Sequence, residues 1–142
     1  MTPSGDTAVW WIRTAIGDLA DARAIANAEG AAFRGAAYHA QQAAEKALKA
    51  AIVFGGVDPP RGHDLVLLGA GLPGLFDGSD SPPDLTRLSA AAIAARYPDP
   101  DDPPYDLDEV ERLIIDAEAV LGAVRTYLAA RGLEDAPDLS GV

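Results

Sequence analysis

The chain has 142 residues, of which 49% are hydrophobic, and it carries a net charge of −11 and no cysteine. This size suits one globular domain with a real core, and the missing cysteines exclude disulfides, thiolate catalysis and cysteine-based zinc sites. The strong negative charge argues against an extended nucleic-acid track, because that binding mode needs many Lys and Arg contacts to phosphates.

The sequence shows no sign of a membrane segment or a secretion signal. No stretch approaches the roughly 18 consecutive apolar residues of a membrane span. The first residues, MTPSGDTAVWW, lack the basic and then apolar order of a signal peptide. We therefore expect a cytoplasmic protein that does not enter a membrane.

Two long helices are predicted in the first third of the chain. Asp6 is a favourable N-cap, and apolar residues recur at helical spacing behind it, which predicts a helix from about Thr7 to Glu29 that stops at Gly30. The next helix, Ala31 to Phe54, has one face that is almost entirely alanine. Because the connection is so short, the two helices should form an antiparallel pair.

Two shorter helices are predicted in the middle of the chain. Asp64 can cap the first, from Leu65 to Ala70, and Asp84 can cap the second. The second should end by Tyr97, because a proline follows and disfavours helix at the residue before it. The stretch between them, Leu75 to Pro83, is rich in Gly, Ser, Pro and Asp, so we expect a mobile loop there.

The last long helix has the clearest pattern. Asp106 and Glu109 resemble a capping box, and an apolar stripe continues behind them to Leu128. Residues 133–142 have little to bury and should fray. Since no segment has the period of a strand, the sequence predicts one all-α domain over residues 1–132, an up-and-down antiparallel bundle of three long helices and two shorter ones.

A cationic island lies on the second helix and the loop after it. Between Ala31 and His63 there are four basic residues and only two acidic ones, which gives this segment a net charge of +2 within a chain of net charge −11. This pattern predicts a small anion site, although ordinary surface salt bridges would produce it too. The side chains that could read a ligand, or equally line a dimer interface, are Gln42, Lys46 and Lys49.

The loop after this helix supplies two more candidates. Arg61 and His63 stand beside the predicted start of a short helix, where guanidinium and imidazole groups suit a phosphate. The alternative is structural, with His63 hydrogen-bonded to a loop carbonyl. Neither His39 nor the His63 and Asp64 pair has a recognised metal-ligand spacing, so we expect no metal and no cofactor.

Three blocks of the sequence resemble a known family. They are YHAQQAAEKALKAAIVFGG from Tyr38, HDL at His63 to Leu65, and ARYPD at Ala95 to Asp99. In this order they resemble a HEPN domain, a small helical domain of prokaryotes often found beside minimal nucleotidyltransferases. The resemblance spans roughly Trp10 to Leu128. It implies a helical bundle, in a family that holds both RNA-cleaving toxins and members that bind nucleotides or partner proteins.

The catalytic residues of the family do not carry over to this chain. Nucleolytic members of the family it resembles have an Arg and a His a few residues apart near the start of the last long helix, but Tyr105 to Leu128 contains no histidine. Arg34 and His39 have a similar spacing, yet they lie in the wrong helix, and five positions is about 140° of rotation. Only a symmetric dimer would bring Arg34 of one chain toward His39 of another.

The favoured hypothesis is a HEPN-like module that binds a nucleotide-like anion or a nucleotidyltransferase partner, as a homodimer and without strong catalysis. Arg96 of the ARYPD block joins the ligand-binding candidates through the resemblance, with a structural role as the alternative. The second hypothesis is a metal-independent endoribonuclease, the toxin of a toxin-antitoxin pair, with Arg34 and His39 or Arg61 and His63 as its catalytic residues.

Overall fold

The computed structural model describes residues 3–28, 33–96, 100–101 and 104–133. Within these ranges it contains five helices and no strand. They are α1 (Pro3–Asn27), α2 (Phe33–Phe54), α3 (Leu65–Ala70), α4 (Leu85–Arg96) and α5 (Leu107–Ala130). This confirms the predicted all-α bundle of three long and two shorter helices. None of the described helices has the length and apolar character needed to span a bilayer.

The core is built around α2, which packs against each of the other four helices. Small side chains let the neighbouring helices approach closely, and the buried alanines of α2 are Ala36, Ala37, Ala40, Ala43, Ala44, Ala47, Ala50 and Ala51. The larger side chain of Leu48 is fully buried between them. The other helices contribute larger apolar side chains to the same core, among them Ile12, Leu19, Leu65, Leu68, Leu88, Leu113, Leu121 and Leu128.

The capping predictions for the last three helices are confirmed. Asp64 accepts hydrogen bonds from two backbone N–H groups of α3, and the Asp84 carboxylate accepts one from the Arg87 N–H at 2.9 Å. At α5 the capping box is complete, because the Glu109 N–H donates to Asp106 at 2.8 Å and the Asp106 N–H donates back to the Glu109 carboxylate at 3.4 Å.

The predicted start of the first helix is wrong. α1 begins at Pro3 and not at Thr7, so Asp6 lies inside the first turn and is not the N-cap. Proline is tolerated in a first helical turn because its missing N–H would have no helical partner there. An acidic side chain in that turn also interacts favourably with the helix dipole, which explains why Asp6 is compatible with helix.

The connection between α3 and α4 is attached to the core at its start. Leu72 and Leu75 are buried in the turns that follow α3, whereas residues 77–82 are exposed. Beyond α5, Leu133 is also buried, and its N–H donates to the Leu128 carbonyl at 3.0 Å. The predicted stop at Gly30, the end at Tyr97 and the tail after residue 133 lie outside the described residues.

α4 is tied to α5 by an ion pair. Arg87 donates to the Asp116 carboxylate at 2.6 Å, and this hydrogen bond raises the pKa of Arg87 above its usual range. α4 is thus bonded to α5 through Arg87 and to α3 through Ser89, whose Oγ accepts a hydrogen bond from the Leu65 N–H.

Candidate functional site

A buried carboxylate organises the polar side of α2. Glu45 is only 4% exposed, and one of its oxygens lies 2.5 Å from Nδ1 of His63 and 3.3 Å from Nε2 of Gln41. The second oxygen lies 3.2 Å from Nζ of Lys49. We call these four residues the Glu45 cluster. Since an ionised carboxylate only accepts hydrogen bonds, Nδ1 of His63 carries the proton in this contact.

The Glu45 cluster differs from what the sequence indicated in one respect. A Glu and a Lys four residues apart are typical of a salt bridge on the surface of a helix, but the exposed fractions of the Glu45 and Lys49 side chains are 5% and 15%. The pair is largely buried because His63 and Trp11 lie over this part of α2. The Lys49 ammonium is 5.8 Å from the centre of the Trp11 ring, close enough for a cation–π contact.

Two further hydrogen bonds connect the Glu45 cluster to the backbone of the loop after α2 and to Gln42. Nε2 of Gln41 lies 3.5 Å from the His63 carbonyl oxygen, and Nε2 of Gln42 donates to Oε1 of Gln41 at 2.8 Å. Gln42, predicted as a ligand-binding residue, is thus connected to His63 through Gln41. The alternative of His63 donating to a loop carbonyl is replaced by the contact of its ring with Glu45.

A second buried carboxylate joins α1 to α2. Asp18 is 9% exposed, and its two oxygens lie 2.9 Å from Nδ1 of His39 and 2.5 Å from Nζ of Lys46. We call these three residues the Asp18 cluster. The predicted ligand residues of α2 therefore divide between two clusters, with Lys46 in one and Lys49 in the other. In both, the lysine charge is offset by a buried acid.

The catalytic candidates Arg34 and His39 are not brought together within the chain. Arg34 is exposed on α2, while the ring of His39 is hydrogen-bonded to Asp18. Asp21 also lies near this pair, and ligand atoms of Asp18, Asp21 and His39 are within 4.8 Å of one another. The Lys46 ammonium contacts the other Asp18 oxygen, so this carboxylate already takes part in an ion pair.

A groove between α3 and α4 reaches the Glu45 cluster. It has a volume of about 600 Å³, and its lining residues are His63, Asp64, Val66, Thr86, Ser89, Ala90 and Ile93. The lining is mostly apolar, and Ile93 is 67% exposed beside it. The His63 side chain is 36% exposed. His63 therefore contacts the buried Glu45 through its ring and also belongs to the lining of the groove.

Arg61 and Arg96 are the two remaining residues that the sequence predicted to bind a ligand. Arg61 is exposed in the loop two residues before His63. Arg96 is the last residue of α4, and its side chain lies outside what the structure describes. The predictions for both residues stay predictions.

Sequence reasoning missed Asp18 and the groove residues of α4. Asp18 had a detectable signal, because it stands at helical spacing between the buried Ala15 and Ala22, where an acidic side chain needs a partner. Thr86 and Ser89 had no such signal, since only the packing of α3 beside α4 makes them part of a groove.

The fold and these clusters define a small all-helical domain with a charged network buried around its central helix. A model of the HEPN domain family matches residues 8–127. The chain belongs to the HEPN domain family, as the resemblance indicated.

Comparison with solved structures agrees with this assignment. The chain is similar to the crystal structure of TT1696 from Thermus thermophilus, with 29% sequence identity and a TM-score of 0.71. The similarity covers 84% of this chain and 97% of that protein. No curated protein matches the sequence significantly.

Proposed function

We propose that this HEPN domain binds a nucleotide-like ligand with an anionic group and has little catalytic activity of its own. The observation that supports this most is the position of His63, which is bonded to the buried Glu45 and also lines the groove between α3 and α4. A groove of about 600 Å³ falls in the size range of small-molecule sites, which are mostly apolar with a few placed polar groups.

The contact with Glu45 gives His63 a defined orientation. With the Nδ1 proton shared with the carboxylate, Nε2 is the ring nitrogen left for a ligand. A phosphate oxygen can accept a hydrogen bond from it when the ring is protonated. In this proposal Gln42 and Lys49 act indirectly by holding the Glu45 cluster. Arg61, in the loop two residues before His63, contributes positive charge, and Arg96 is proposed as a ligand-binding residue on the resemblance of the ARYPD block alone.

Calorimetric titration tests the proposal. At least one of the common nucleotides should bind the protein, and His63→Ala should weaken that binding at least about tenfold, the loss expected for one charge-assisted hydrogen bond. His39→Ala is the matched control, because His39 lies on α2 in the Asp18 cluster and does not line the groove. Flat titrations for all nucleotides would refute nucleotide binding.

The same variants separate binding from the alternative function, a metal-independent endoribonuclease. A histidine oriented by a buried carboxylate is also an arrangement that suits a general base, so RNA cleavage has to be measured as well. Incubated with RNA, the protein should give no cleavage product that disappears in His63→Ala or His39→Ala. A product that depends on either histidine would favour the endoribonuclease.

We propose in addition that the domain pairs with a second copy of itself or with a minimal nucleotidyltransferase. Trp10, Ile93 and Ile115 are 58%, 67% and 61% exposed, so each offers apolar surface that a partner protein could cover. Light scattering on the purified protein should give about twice the mass of the 14.7 kDa chain. The chain mass alone, at tens of micromolar protein, would contradict the homodimer and leave the heterologous partner.

A further inference from the structure

The groove between α3 and α4 is short, and its two ends differ. The Leu65 N–H donates to Oγ of Ser89 at 2.7 Å, and Gly69, one turn later, faces the Leu85 side chain. α3 therefore runs antiparallel to α4, and His63 lies at the end nearer Ile93. The lining residues of α4 run from Thr86 to Ile93, a rise of about 10 Å at 1.5 Å per residue.

The walls of the groove suit a flat apolar group. Val66 from α3 is 49% exposed and Ile93 from α4 is 67% exposed, and the small side chain of Ala90 also belongs to the lining. Ser89 accepts the Leu65 N–H through its oxygen, which leaves its O–H to donate. A nucleobase has both the apolar faces and the polar edge that such a lining accepts.

The charge around His63 limits how much negative charge a ligand can carry. Asp64 adjoins it in the lining, and the Asp64 carboxylate accepts hydrogen bonds from the backbone N–H groups of Val66 and Leu67 at 3.0 and 3.2 Å. Glu45 lies behind the ring. The one imidazole of the lining is thus bonded to one carboxylate and adjoins a residue that carries a second, in a chain of net charge −11. Each further phosphate on a ligand would meet repulsion that no lysine or arginine among the described lining residues offsets.

We infer that the groove binds a small ligand with one flat apolar body and one phosphate, namely a nucleoside monophosphate. It binds this ligand in preference to nucleoside triphosphates and RNA. This inference rests on the proposed nucleotide binding and adds that the site distinguishes ligands by their number of phosphates. The phosphate lies at the His63 end, and the base lies along Val66 and Ala90 toward Thr86. A nucleotide polymer would extend past both ends of a groove of this length.

A comparison of nucleotides that differ only in their number of phosphates tests the inference. Adenosine and uridine mono-, di- and triphosphates are titrated separately into the protein without divalent cations, together with a short RNA oligomer. For at least one base, Kd should rise at least about fivefold from the monophosphate to the triphosphate, and the RNA should not bind measurably. A triphosphate that binds as tightly as its monophosphate, or tighter, would overturn the selectivity while leaving nucleotide binding intact.

A pair of tryptophan substitutions tests the location. Ala90→Trp fills the groove from an exposed position of α4 and should weaken monophosphate binding at least about tenfold. Ala24→Trp adds the same side chain at an exposed position of α1, and the described residues of α1 pack against α2 and α5 and not against α3 or α4. It should leave Kd unchanged. Equal Kd values in both variants would refute the groove as the site, and no binding of any nucleotide would refute the proposed function with it.

Discussion

Replacing Leu48 with alanine should lower the free energy of unfolding by about 3 to 4 kcal/mol, as for other leucines in well-packed cores. The side chain is fully buried on α2, the helix against which the four others pack. Its neighbours Ala44, Ala47 and Ala51 are too small to fill the cavity that alanine would leave, so little of the loss would be recovered by relaxation. Urea denaturation followed by circular dichroism measures the difference.

The matched control is Leu67→Ala on α3. Leu67 is 57% exposed, so the same chemical change should cost less than about 0.5 kcal/mol. If Leu48→Ala were no more costly than Leu67→Ala, α2 could not be the centre of the core.

The parts of the fold that could be predicted from the sequence depend on short-range signals. Asp64, Asp84 and Asp106 each accept a hydrogen bond from an N–H two or three residues later, so a cap is visible in a window of four residues. The alanine face of α2 is equally local, because helical geometry assigns each residue to a face. These signals were enough to predict the number and order of the helices.

The environment of the polar face of α2 could not be predicted in the same way. Helical geometry gives the direction of Lys46 and Lys49, but not whether another element covers that direction. Asp18 reaches Lys46 from 28 positions away, and His63 reaches Glu45 from 18 positions away. Such pairings are decided by how the helices pack. The sequence therefore indicated a charged surface where the structure has two buried ion-pair clusters.

The groove between α3 and α4 illustrates the same limit. Helical geometry places Leu85 and Leu88 on one apolar face of α4, and Leu88 is fully buried. Thr86, Ala90 and Ile93 lie on the other side and line the groove. These residues form one wall of a groove only because α3 packs antiparallel beside α4. The sequence alone does not give the distance between two helices joined by a turn-rich connection.

Removing the carboxylate of Glu45 is expected to lower the free energy of unfolding by about 3 kcal/mol, because breaking a buried ion pair from one side leaves the other charge without compensation. Lys49 is the charge left behind, with 15% of its side chain exposed, and the buried Gln41 amide loses an acceptor as well. Glu111→Ala, at an exposed position of α5, is the control and should change stability by less than about 0.5 kcal/mol. Urea denaturation of Glu45→Ala measures the loss.

A double-mutant cycle with His63 apportions this loss. His63 contacts an oxygen of Glu45 at 2.5 Å, so the cost of Glu45→Ala should be about 1 kcal/mol smaller when His63 is already alanine. The remaining cost then belongs to Lys49 and Gln41, whose carboxylate partner in the described part of the chain is Glu45. Additive costs would mean that His63 is not held by Glu45 in solution, and the orientation of its ring toward the groove would lose its physical cause.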